Sequence, residues 1–234
     1  FGVFAKHDMR VHPKKSLVLT QDVEFLGHRI HPGGMSPHET KIAGFRKLRS
    51  PTNVSEVRSI LGSLQFYAHY CPAFSALMSP VTRLLKKDVK FEWGVEQQEA
   101  VDTVVTRMAT PGLVLCAVDA EREIHLWCDW SQDGIAAVMT QVDDEGRERL
   151  CACSSRSCNK HEKQYAPTRG EQLAMVHAIR TFRPYLHGRH FKVFTDHRPL
   201  VSIHRMDATQ LTGQALRWAI MLSEYDFEVC YVSG

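Results

Sequence analysis

The chain has 234 residues, 44% hydrophobic and 24% charged, with only 14 Gly and 10 Pro. This is ordinary globular usage and excludes a disordered, collagen-like or low-complexity chain. The formal net charge of +3 is too small to name a partner, and no apolar run approaches the roughly 18 residues that span a bilayer. The length suits one large domain or two modest ones. The opening FGVFAKHDMR lacks the apolar core and cleavage site of a signal peptide. It also lacks an initiator Met, so an excised piece of a longer chain is expected. Residues 1–75 hold 10 basic and 5 acidic side chains, a mildly basic front able to meet phosphates. The seven Cys (Cys71, Cys116, Cys128, Cys151, Cys153, Cys158, Cys230) form no regular framework. They read as free thiols of a reducing compartment, with Cys151, Cys153 and Cys158 as buried strand residues.

In chain order, Leu17–Leu19 and Val23–Ile30 read as strands, and His31-Pro-Gly-Gly34 as a turn. A helix is expected over Lys41–Leu48. Asn53, with Glu56 three residues on, predicts a capped helix that ends by Pro72. Further helices are expected over Phe74–Lys87 and Val95–Met108. From about residue 121 the period changes to that of strands. Ile124, Leu126 and Cys128 alternate with His125, Trp127 and Asp129. Strands follow at Ile135–Val142 and Arg149–Ser155, with the turn Asp143-Asp-Glu-Gly146 between them. Then come a helix Thr168–Leu186, a strand Phe191–Thr195, helices Leu200–His204 and Leu211–Glu224, and a strand Phe227–Val232. The order β-β-β-α-β-α-α-β predicts an α/β (α+β) fold: a mixed sheet with helices on its faces, behind a helical front part. The domain boundary is expected near 115–120.

Three acids stand at suggestive places. Asp129 ends the first strand of the sheet and points away from Ile124, Leu126 and Cys128. Asp196 ends the strand Lys192–Asp196 in the same way, and Glu171 lies in the first turn of the long helix. Carboxylates from two strand ends and a helix start suit an all-oxygen Mg²⁺ or Mn²⁺ site. Each also has a structural reading. Glu171 would complete a capping box with Thr168, Asp196 would cap the helix after Pro199, and Asp129 would be an exposed turn acid.

The strings around these acids resemble one family. Cys128-Asp-Trp-Ser131, Gly134 and Ala136-Ala-Val-Met-Thr-Gln141 resemble the opening of the ribonuclease H domain of gypsy-type LTR retrotransposon reverse transcriptases. Ser155-Arg-Ser157, Tyr165 with Glu171-Gln-Leu-Ala174, Phe182-Arg-Pro-Tyr-Leu-His-Gly188, Phe191-Lys-Val-Phe-Thr-Asp-His197, Arg217-Trp218, Glu224-Tyr-Asp-Phe227 and Tyr231-Val-Ser-Gly234 continue the likeness. Phe25-Leu-Gly-His28 resembles the primer-grip hairpin after the polymerase palm. Lys41, Pro51, Val57-Arg58, Leu61-Gly62 and Phe66-Tyr67 resemble the thumb. The resemblance implies three parts. Residues 1–36 would be the end of the palm and a primer-grip-like hairpin. Residues 37–118 would be a helical thumb/connection-like region, and 119–234 a C-terminally truncated, ribonuclease H-like domain with a five-stranded mixed sheet.

It also implies that Asp129, Glu171 and Asp196 are catalytic and hold two Mg²⁺ ions, with Mn²⁺ as substitute, to hydrolyse RNA in RNA–DNA hybrids. The family's fourth acid falls beyond Gly234. Phe25, Leu26, Gly27, His28, Lys41, Arg58 and His197 are the implied nucleic-acid contacts, with Arg29, Arg46 and Lys47 further thumb cations. The implied partners are an RNA–DNA hybrid or template–primer and the rest of a Pol polyprotein, with no membrane. The implied location is intracellular, in a cytoplasmic retroelement particle, with the nucleus as second site. Departures from the pattern are Arg169, where a second Glu is usual, Trp130 beside the first acid, and Ser16. The polymerase Asp pair is absent, and Gln141-Val-Asp-Asp144 only imitates it in a hairpin turn. The alternative is a catalytically inactive nucleic-acid-binding remnant of a decayed or truncated element.

Overall fold

The computed structural model describes residues 2–10, 12, 16–203 and 213–233. After a short helix α1 (Gly2–Lys6), three strands form an antiparallel meander: β1 (Val23–Phe25), β2 (His28–His31) and β3 (Gly34–Pro37). The expected single strand Val23–Ile30 is split in two. Leu26 and Gly27 both take positive φ (50° and 84°), the backbone of a tight two-residue hairpin turn. Leu17–Leu19 is not a strand. It has no partner strand, and Leu19 is 99% exposed.

Five helices follow: α2 (Glu39–Arg46), α3 (Val54–Gln65), α4 (Phe74–Leu77), α5 (Ser79–Arg83) and α6 (Val95–Met108). Asn53 caps α3 as expected, its Oδ1 accepting from Glu56 N at 3.0 Å. Glu56 reaches back one residue further than a capping box requires and accepts from Thr52 N at 2.8 Å. Helix α3 ends well before Pro72, because Tyr67 and Tyr70 turn inward through a 3₁₀ turn and are buried. The expected helix Phe74–Lys87 is broken into α4 and α5 around Met78. Pro80 has no N–H to give, and its ring is tolerated only in the first turn of a helix. Val57, Ile60, Leu64, Met78, Val81 and Val104 form the core of this part.

The second part is a five-stranded sheet of β4 (Ile124–Trp130), β5 (Gly134–Val142), β6 (Glu148–Ser157), β7 (His190–Thr195) and β8 (Asp226–Tyr231), in the order β6-β5-β4-β7-β8. The first three strands are antiparallel. The pairs β4/β7 and β7/β8 are parallel. Parallel pairs need crossovers, supplied by α7 (Pro167–Thr181) with α8 (Arg183–Leu186), and by α9 (Pro199–Ile203) with α10 (Gly213–Leu222). The mixed α/β fold is thus as expected. One long helix was expected over α7 and α8, but they part at Phe182, just before Pro184. The expected ends His204 and Leu211 lie outside the described residues.

Helix α7 covers one sheet face, where Ala174, Val176 and Ile179 meet Leu126, Ala137, Met139 and Val193 in the core. On α10, Trp218 and Leu222 are buried, whereas Ile220 is 57% exposed. A two-residue step carries it about 200° around the helix, off the apolar stripe. All seven Cys are free thiols. Cys151 and Cys153 are buried in β6, and Cys158 lies just past its end.

The two parts are joined by backbone. Met35 and Leu115 exchange N–H···O bonds of 2.8 Å, and Cys116 N donates to Leu150 O at 2.7 Å. Gly34 (φ +130°) allows this approach, since a Cβ there would meet Leu115 O at 2.1 Å. Helix α4 also rests on the second sheet face, with Ser75 N donating to Ser155 Oγ at 2.9 Å.

Candidate active site

The strand register brings two of the acids together. β4 and β7 run parallel with Trp127 opposite Phe194, and two more residues along each chain lead to Asp129 and Asp196. Both emerge at the same end of the sheet. The third acid, Glu171, comes from α7, which packs against β4. The helix begins with Pro167 at its first position and Ala166 before it. Thr168 is therefore not the cap, and Glu171 sits beyond the first turn. The capping-box reading of Glu171 fails for this reason, because Thr168 Oγ1 is instead bonded to His197 Nε2 at 2.8 Å.

Glu171 is 7% exposed, and its Oε2 is buried with no hydrogen-bond partner among the described residues. Burial, then the charges of Asp129 and Asp196, push its pKa up to about 7. Burial and then Asp196 raise Asp129 as well. The Trp130 backbone N–H opposes the rise in both. Like charges thus accumulate around an unsatisfied carboxylate oxygen, which ordinarily takes up a proton or gains a cation. The donors are all carboxylate oxygens, the set that Mg²⁺ and Mn²⁺ take. The residues present fit such an ion. Among the described residues, no three His, Cys, Asp or Glu side chains already stand in a metal-ligand arrangement.

Asp129 and Asp196 border a cleft of about 400 Å³, also lined by Pro72, Ala73, Trp127 and Phe194. Trp127 and Phe194 stack at 4.4 Å, and the Trp127 indole N–H donates to Thr140 Oγ1 at 3.1 Å. Trp130 turns elsewhere and lies against Gly170. The Asp143-Asp144 pair forms the β5–β6 turn, as expected. Asp143 Oδ1 accepts from the backbone N–H groups of Glu145 and Arg147.

The remaining sequence-derived residues lie apart from this cluster. Phe25 and Leu26 are 58% and 71% exposed at the hairpin turn. His28 is buried, with Nδ1 3.0 Å from the Tyr70 hydroxyl and its ring stacked on Phe66. It fastens the hairpin to the end of α3. The Tyr67 hydroxyl donates to Gly27 O at 3.0 Å, and the Lys41 stem lies beside Gly27. Lys41, Arg46, Lys47 and Arg58 are exposed. Arg29 is forked onto Asp22. His197 is half-buried against Thr168, next to Asp196.

Two contacts beside the acids escaped the sequence reading: the bond from Thr168 to His197 and the packing of Trp130 on Gly170. Gly170 alone left a signal, since a Gly inside a helix marks a close approach.

Residues 119–225, which hold this sheet with its acids at one end, match the model of the RNase H-like domain found in reverse transcriptase. Over its whole length the chain is 32% identical to the retrovirus-related Pol polyprotein from transposon 412 of Drosophila melanogaster, covering 19% of that protein. It is 30% identical to that of transposon 297, again over the whole chain and 21% of the relative. The transposon Tf2-3 polyprotein of Schizosaccharomyces pombe matches at 29% over 91% of this chain and 16% of its own length. The chain spans about a fifth of the curated relatives it matches. The foamy viral protease–reverse transcriptase in complex with RNA/DNA hybrid has a TM-score of 0.73 at 20% identity. That likeness covers 94% of this chain and 30% of the other, and it shows a shared fold. The resemblance to retroelement reverse transcriptases is borne out.

Proposed function

We propose that the chain is part of a gypsy-type LTR-retrotransposon reverse transcriptase and hydrolyses the RNA strand of RNA–DNA hybrids. The observation that carries this reading is the buried, unpartnered Oε2 of Glu171 beside Asp129 and Asp196. On this reading the three carboxylates hold two Mg²⁺ ions, or Mn²⁺. When bound, the ions polarise the scissile phosphate and supply a water nucleophile at neutral pH. The chain's own residues place the carboxylates at one sheet end, and the Trp130 N–H steadies Asp129 and Glu171. Phe25, Leu26, Lys41 and Arg58 contact the sugar–phosphate backbone, which fixes register without reading sequence. His28 serves by holding the hairpin. The proposed parts are 1–36, 37–118 and 119–234, within a Pol polyprotein working in a cytoplasmic particle.

A second reading, a nucleic-acid-binding remnant without catalysis, is favoured by one observation: no ready-made ligand set exists among the described residues. One assay separates them. End-labelled RNA annealed to DNA is incubated with the chain and Mg²⁺, Mn²⁺ or EDTA, beside Asp129→Asn. Metal-dependent cleavage of the RNA, lost in the variant, supports the first reading. A hybrid that is bound but left intact under every metal supports the second.

A further inference from the structure

The loop that carries Asp196 is fastened to three neighbours. His197 N donates to Thr195 Oγ1 at 3.1 Å, and Val232 N donates to Thr195 O at 3.0 Å. The Arg198 guanidinium lies over the Tyr231 ring, 4.6 Å from its centroid. These ties hold the loop to β7 and β8. The 2.8 Å bond between Thr168 Oγ1 and His197 Nε2 reaches across to α7. Its two ends are placed with purpose. Thr168 precedes Glu171 by three residues, so both lie on one face of α7. His197 directly follows Asp196.

We propose that Thr168 and His197 form a latch that sets the distance between Asp196 and Glu171, making Thr168 a positioning residue of the carboxylate site. The charge of Asp196 raises the pKa of the buried Glu171, so the two carboxylates repel each other. Without the latch, α9 still packs on α7, but the residue next to Asp196 is no longer bonded to that helix. A divalent ion shared by carboxylates on separate elements then binds at the cost of drawing them together. With the latch, that ordering is already done. Thr168 touches neither substrate nor metal on this account, and acts through His197. The inference rests on the metal reading of the site above.

The test is calorimetric titration of the purified chain with Mn²⁺, with thermal unfolding followed in parallel. Thr168→Val keeps the shape and removes the hydroxyl, and Thr168→Ser keeps the hydroxyl. The valine variant is expected to lose about tenfold in Mn²⁺ affinity, about 1.4 kcal/mol, while still unfolding cooperatively. The serine variant restores the affinity. His197→Ala, which removes the other end of the bond, repeats the loss. Wild-type affinity in both Thr168→Val and His197→Ala overturns the latch alone. No saturable binding by the wild-type chain overturns the metal reading and the latch with it.

Discussion

Trp130 lies flat against Gly170: a Cβ on Gly170 would come within 2.1 Å of the indole Cδ2. This contact joins the end of β4 to the second turn of α7, between Asp129 and Glu171. In an open helix, Gly→Ala gains about 1 kcal/mol. Here the added methyl must push the indole aside, and overpacking costs about 1–3 kcal/mol. Gly170→Ala is therefore expected to lower the urea midpoint. A raised midpoint would show that the indole moves freely.

Glu171 gives the metal-free protein a pH dependence of definite sign. Its folded pKa is raised from 4.5 to about 7. Its contribution is fully present below about pH 4.5 and is lost as pH rises through about 7, where the buried carboxylate ionises. Glu171→Gln is thus expected to stabilise the metal-free chain at pH 8 by up to about 3 kcal/mol, with the gain vanishing near pH 4. Denaturant unfolding at the two pH values in EDTA measures it. An equal effect at both pH values would mean that the charge is not the cause.

Gln141 is 3% exposed, and its amide is fully used. Nε2 donates to the carbonyls of Asp119 and Arg122 at 2.9 and 2.8 Å, and Oε1 accepts from Asp119 N at 2.8 Å. It pins the segment entering β4 to β5. Gln141→Leu takes three hydrogen bonds from the segment entering β4, at an expected cost of about 1–3 kcal/mol. A loss in that range is expected by chemical denaturation, with faster amide exchange at Asp119.

The hairpin residues divide by role. Phe25→Ala removes an exposed side chain, so hybrid affinity is expected to fall severalfold with stability unchanged. His28→Ala removes a buried ring and its bond to Tyr70, and is expected to cost about 2 kcal/mol of stability. Fluorescence anisotropy with a labelled hybrid, read beside thermal unfolding, separates the two. A stability loss for Phe25→Ala would place that ring in the fold rather than on the surface.

The sheet was legible because β4 to β8 carry regular alternation and clear turns. Asp129 and Asp196 were found because they end strands. Breaks at Leu26–Gly27 and Met78 were hidden, since each depends on positive φ or on a proline whose place in the helix is set by packing. The depth of Glu171 was hidden too. Its spacing from Thr168 fits a capping box equally well, and only the start at Pro167 decides against it. The latch between Thr168 and His197 and the contact between Trp130 and Gly170 join residues far apart in sequence, which no local period reports.

On the proposed function, Asp129, Glu171 and Asp196 make one divalent-cation site. The most direct measurement is anomalous diffraction from crystals of the chain grown with Mn²⁺. Anomalous density is expected at the end of β4 and β7, within coordination distance of all three carboxylates and absent in Asp129→Asn. Density elsewhere, or none there at saturating Mn²⁺, would contradict it.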